Sequence, residues 1–106
     1  MEDQLICGLS EAEIQELKEK HGALILGTVK QGENEYHAIF KEPNFKTLEA
    51  TGAVTEKSEI RGTKALYDNC IVKADEEIEQ RDLLQLKAVE AVARYMQSFN
   101  VSIKNL

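Results

Sequence analysis

Apolar and polar positions alternate along this chain with two different periods, and the switches between them mark the elements. Ile14 and Leu17 share one face of a helical turn pattern, while Glu16, Lys18, Glu19 and Lys20 fall mostly on the solvated side. Ser10 stands three residues before Glu13, the spacing of a capping box in which each side chain satisfies a free backbone N–H at the helix start. Leu9 before the cap and Ile14 after it form the matching hydrophobic staple. Gly22, after His21, suits the left-handed position that ends such a helix.

From Ala23 to Phe40 the period changes to two. Ala23-Leu24-Ile25-Leu26-Gly27-Thr28-Val29 is rich in strand formers, and Tyr36, Ala38 and Phe40 alternate with His37, Ile39 and Lys41. Gln31-Gly32-Glu33-Asn34 supplies the turn between them, since Gly and Asn tolerate positive φ. The segment predicts a β-hairpin. A hairpin alone is marginal in water, so one face must pack on helices.

Pro43, the only proline, closes the second strand. Asn44 caps a short helix carrying Phe45 and Leu48 on one face, which Gly52 ends or weakens. A further helix is expected from about Glu56 to Cys70, with Ile60, Thr63, Tyr67 and Cys70 at helical spacing. Gly62 inside it costs up to about 1 kcal/mol against Ala, a gap that suits close approach of a neighbour. Ile71-Val72 leads into an acidic connection, Asp75-Glu76-Glu77-Ile78-Glu79. One last helix is expected from about Asp82 to Phe99, stopped by Asn100. Its apolar residues spread over more than one face. Leu84, Ala88, Ala91 and Tyr95 form the row expected to point inward. Val89, Val92, Met96 and Phe99 form the candidate partner or self-association surface, because Met and aromatic residues are common interface anchors. Val101 to Leu106 is expected to fray or to pair as an edge strand.

The expected fold class is therefore α+β: a small antiparallel β-hairpin packed against three to four α-helices, in one domain spanning residues 1–106. The chain has 106 residues, 42% hydrophobic and 30% charged, the proportions of an ordinary globular domain rather than a disordered one. Its formal net charge of -6, with no basic stripe, argues against nucleic acid as a partner. No apolar run approaches the roughly 20 residues that span a bilayer, so a membrane role is not expected. Met1-Glu2-Asp3-Gln4 lacks the basic start of a signal peptide, and the expected location is the cytoplasm. There Cys7 and Cys70, both among apolar residues, are expected as thiols that pack like small hydrophobes.

Chemistry is harder to place. His21 and His37 are sixteen residues apart and in no metal-ligand spacing. A Cys–His pair of nucleophile and base finds no support in the spacing of these residues. The acidic run from Asp75 to Asp82 lacks the alternating ligands and central Gly of a calcium loop, and reads as carboxylates that complement a helix dipole. The six glycines form no phosphate-binding loop and no nucleophile elbow. The reading is of a non-enzyme with no catalytic residue, no metal and no cofactor, whose role is binding or assembly.

The order of features from His21 onward resembles the tail assembly chaperones of tailed phages, in the form found in prophages. The stretches that carry the likeness are the strand pair at Ala23–Val29 and Glu35–Phe40, the run Phe40-Lys41-Glu42-Pro43-Asn44-Phe45-Lys46-Thr47-Leu48-Glu49-Ala50, and a helix ending Leu66-Tyr67-Asp68-Asn69-Cys70. Ile71-Val72-Lys73-Ala74-Asp75-Glu76-Glu77-Ile78 then precedes the final helix. The resemblance, taken from His21 onward, covers about four-fifths of the chain. Gly62-Thr63 departs from the pattern, standing where a stronger helix former is expected. The resemblance implies a non-catalytic protein that binds the long helical tape measure protein during tail morphogenesis, keeps it soluble and recruits the tail tube subunit. It is compatible with a homo-oligomer. The alternative is a small protein-binding adaptor or regulatory module of a mobile element or its bacterial host.

Overall fold

A computed structural model of the chain describes residues 5–106. Met1–Gln4, read above for the absence of an export signal, lie outside the described residues. Helix α1 (Glu11–His21) begins where the capping box put it: the Ser10 side chain accepts from the Glu13 N–H, and the Glu13 carboxylate accepts from the Ser10 N–H at 3.1 Å. Gly22 ends it at φ +83, its N–H donating to the Lys18 carbonyl.

Strands β1 (Leu24–Gln31) and β2 (Asn34–Lys41) form the expected antiparallel hairpin, in a register that pairs Ile25 with Phe40, Gly27 with Ala38 and Val29 with Tyr36. The turn needs only Gly32 and Glu33. Gly32 sits at φ +61 in the first of these positions, as a type II′ turn requires. A third strand, β3 (Ile71–Ala74), adds to β2 where only a leading segment was expected, giving the order β1-β2-β3. It is antiparallel to β2, with Ile39 opposite Lys73 and Phe40 opposite Ile71. The register shift leaves Val72 as an extra residue, a β-bulge.

The helices depart from the expected pattern in four places. Helix α2 (Phe45–Thr55), capped by Asn44 through the Thr47 N–H at 2.8 Å, runs straight through Gly52. Helix α3 (Glu59–Cys70) begins at the Ser58 cap rather than at Glu56. The acidic stretch is itself a short helix, α4 (Glu76–Gln80), so its carboxylates do lie in a first turn. The long last helix is two: α5 (Asp82–Ala88) and α6 (Glu90–Gln97), jointed at Val89.

One cluster of buried side chains holds these elements together. Phe40 and Ala38 of the sheet, Leu66, Tyr67 and Cys70 of α3, Ile78 of α4, and Leu84, Ala88, Val89 and Val92 of the last two helices belong to it. Phe40 meets Tyr67 edge to face, ring centroids 5.7 Å apart, the favoured geometry for aromatic quadrupoles. The fold class is α+β, with helices packed on an antiparallel sheet. The hairpin carries a third strand, and the helical part is divided into more and shorter pieces than the periodicity implied.

Candidate functional site

The row proposed from sequence as a partner surface is not one surface. Val89 and Val92 are 1% and 0% exposed and lie in the core cluster, Met96 is half-buried, and only Phe99, 62% exposed, faces solvent. The correction begins at the helical joint. At Val89 the backbone takes φ -70 and ψ -11, and the Val92 N–H donates to the Val89 carbonyl three residues back. A three-residue turn advances about 120° per residue instead of 100°, so the faces of α6 are rotated from those extrapolated along α5. The row expected inward is correspondingly mixed. Leu84 and Ala88 are buried, whereas Ala91 and Tyr95 are half-buried. Phe99 rests its ring edge to face on Tyr95, centroids 5.2 Å apart. The Tyr95 hydroxyl donates to the Glu42 carboxylate, and that bond, before any burial, raises the Tyr95 pKa.

The backbone of His37, on the β3 side of β2, gathers titratable groups that sequence left scattered. The Cys7 thiol donates to the His37 carbonyl at 3.2 Å. The His37 N–H donates to the Asp75 carboxylate at 2.6 Å, and the His37 ring lies 3.2 Å from Glu35. A Cys, a His and an Asp thus come together, although nothing in their spacing shows it. Their chemistry is structural. The thiol is directed at a backbone oxygen rather than at the imidazole. Burial first, and the Asp75 charge second, push the Cys7 pKa up to about 11. A thiol in that state is almost wholly protonated at neutral pH, whereas nucleophilic attack needs the thiolate. Cys70 is buried as expected, and burial raises its pKa also. Asp75, read as a dipole-complementing carboxylate, instead fastens β2 to the start of α4. Among the described residues, no group of three His, Cys, Asp or Glu side chains is placed to hold a metal ion.

Two other regions have the character of a binding surface. The first is apolar and helical. None of the residues of α2 is buried, and Phe45 and Leu48 stand exposed on it. Helix α2 packs on α3, closely enough that a Cβ at Gly62 would fall 2.8 Å from the Thr55 Cα, which is the close approach expected of that glycine. Farther along, Ile60 of α3 and Leu83 of α5, 70% and 62% exposed, line a shallow depression of about 300 Å³ with Thr63 and Leu86. Glu59, Lys87 and Glu90 stand at its margin. The second region is a groove of about 520 Å³ between β1 and the α5–α6 joint, floored by Val29, Leu84, Ala88 and Ala91. Lys30, Arg81, Lys87 and Arg94 rim it together with Glu90; Lys87 pairs with Glu90 at 3.7 Å and Arg81 with Glu77 at 3.9 Å. This concentration of cations in a chain of net charge -6 is invisible in sequence, because the four come from separate elements.

A polar network joins α3, α4 and α5. Gln85, buried on α5, accepts from the Lys64 ammonium at 2.6 Å and donates to the Glu79 carbonyl at 3.0 Å. Lys64 also pairs with Asp68 at 2.8 Å and lies 5.0 Å from the Tyr67 ring centroid. Both polar ends of the buried amide are thereby satisfied, the condition under which a buried polar group is tolerated. No helix among the described residues is long and apolar enough to cross a membrane. Comparisons with protein-family models, with curated proteins and with solved structures find no match.

Proposed function

We propose that this chain is a non-catalytic protein-binding module that covers the apolar stripe of a long helical partner, as a phage tail assembly chaperone covers the tape measure protein. The observation that carries the proposal is the apolar depression between α3 and α5. Ile60 and Leu83 are large, aliphatic and mostly exposed, and they stand on two elements that share one concavity. Large exposed apolar side chains are ordinary one at a time. Grouped in a concavity with charged margins, they are the form of a groove that receives the apolar face of an amphipathic helix. Phe45 and Leu48 add two more exposed apolar side chains, on α2. The resemblance in feature order from His21 onward points to the same partner class, and the acidic surface suits a carrier that must itself remain in solution.

The depression is shallow, so one contact is weak. Several copies along one long helix supply the stability together. Binding also withdraws aggregation-prone surface from the unbound pool by mass action. The tail tube subunit, the second partner that the resemblance implies, and action in the host-cell cytoplasm belong to the same proposal.

The test is affinity capture with the longest helical protein encoded beside this chain, using intact protein and the Ile60→Asp and Leu83→Asp variants. Both positions are exposed, so the variants fold normally. Capture by the intact chain and its loss in both variants is the expected result. Equal capture by all three, or by none with folded protein confirmed, overturns the proposal and favours an adaptor that uses another surface.

A further inference from the structure

The two edges of the sheet are protected very differently. Strand β3 is four residues long, carries Lys73, and has the Cys7 thiol against the Lys73 carbonyl at 3.8 Å. A short, charged, covered edge is how proteins keep sheets from adding strands. Strand β1 is eight residues long with a single charge, Lys30. In a hairpin with a two-residue turn, Gln31 and Asn34 exchange hydrogen bonds, and every second pair after them does the same. The N–H and C=O groups of Leu24, Leu26, Thr28 and Lys30 therefore point away from β2. The geometry of β2 agrees: His37, opposite Thr28, turns its N–H and C=O to the other side, where they meet Asp75. Among the described residues no backbone group bonds to the outward side of β1.

The same chain carries an unpaired segment with the character of a strand. After α6 the tail Val101-Ser102-Ile103-Lys104-Asn105-Leu106 has no helix, no strand partner and no cover. Val101 and Ile103, β-branched and alternating with polar residues, are 89% and 90% exposed. The chain has a longest dimension of 53 Å and a radius of gyration of 15.4 Å, against roughly 13 Å for a compact chain of this length.

We infer that the tail of a second copy of this chain adds to the open edge of β1 as a fourth strand, and that two copies exchange tails reciprocally. Each copy offers one edge and one tail, so the exchange closes as a two-fold dimer. Its main-chain hydrogen bonds follow the mode of strand addition. Side-chain alternation fixes which face of the tail looks inward. Val101 and Ile103 lie toward the groove floor beside Val29 and Ala91. The opposite choice would set Lys104 beside Lys30 and Arg94 and turn Val101 and Ile103 to solvent. The surface for self-association is then the β1 edge, not the Val89–Val92 row, and it is independent of the helical depression assigned to the partner.

Sedimentation over a range of concentrations tests the inference on three proteins: the full chain, a chain ending at Asn100, and the Thr28→Pro variant. Proline at 28 removes an outward-pointing N–H and leaves the hairpin bonds intact. Leu26→Lys, at an exposed edge position, serves as a second edge block should Thr28→Pro fail to fold. The full chain is expected to dimerise reversibly. Tail removal and edge block should each raise the dissociation constant about tenfold or more while the circular dichroism spectrum stays that of the folded protein. In the full chain, hydrogen exchange should slow at Leu24, Leu26, Thr28 and Lys30 relative to the truncated chain. A full chain that stays monomeric at all concentrations, or a dimer that survives both changes, overturns the inference.

Discussion

Gly27 of β1 lies directly beneath the Ala88 carbonyl: a Cβ built at Gly27 would stand 2.7 Å from that oxygen. The same Cβ would be 3.2 Å from the Ala91 Cβ and from the Phe40 ring. The helical joint at Val89 is thus seated on bare strand backbone, with no side chain between. That seat is why Val89 and Val92 are carried into the core.

Gly27→Ala is accordingly expected to destabilise the fold by about 1–3 kcal/mol, the usual cost of overpacking. For a chain of this size the melting temperature should fall by several degrees per kcal/mol. Thermal unfolding followed by circular dichroism reads it directly. An unchanged melting temperature would mean that the joint does not rest on this strand.

Gly62→Ala tests the α2–α3 contact against intrinsic propensity. Alanine gains up to about 1 kcal/mol in a helix interior over glycine. A Cβ there would meet Thr55 backbone at 2.8 Å, and backbone yields less readily than a flexible side chain. A net loss of stability is expected in denaturant unfolding. A gain would show that α2 moves freely on α3.

Val92→Asp should unfold the chain at every protein concentration, because an unpaired carboxylate in a fully buried site costs several kcal/mol, comparable to the stability of a small domain. A folded Val92→Asp protein with altered self-association would restore the interface reading that the burial of Val92 removes.

The thiols give a pH prediction. Cys7 has a folded pKa of about 11 against its ordinary 9.0, so the folded state disfavours the thiolate. The stabilisation tied to this group is complete below about pH 9 and is lost as pH rises through 11. Tyr67, pushed by burial from 10.0 up to about 12, adds a loss of the same sign slightly higher. Stability should therefore decline in the alkaline range, and less steeply in Cys7→Ala. At pH 8 both thiols should react slowly with a disulfide reagent until denaturant is added. Rapid reaction in the folded state would contradict the burial of Cys7 and Cys70.

What sequence revealed and what it hid follow from the range of the interactions. The caps at Ser10, Gly22 and Asn44 are bonds between a residue and neighbours three or four positions away, so residue type at fixed spacing announces them. The hairpin carries its own turn. Strand β3 is four residues with no alternation to read, and it is a strand because β2 supplies the ladder. The break at Val89 has neither Gly nor Pro to mark it. It belongs to the seat on Gly27, sixty residues earlier, and a helical period carried across it assigned the wrong face to Val89 and Val92. The basic groove and the meeting of Cys7, His37 and Asp75 were hidden for the same reason: each joins side chains from separate elements.

The most direct measurement is the soluble fraction of the neighbouring long helical protein when co-expressed with this chain, at low and at moderate salt. Apolar burial in the Ile60–Leu83 depression is weakly screened, so the protein should stay soluble with the intact chain at both salts and precipitate with Ile60→Asp or Leu83→Asp. A helical protein equally insoluble with and without the intact, folded chain would contradict the proposed function.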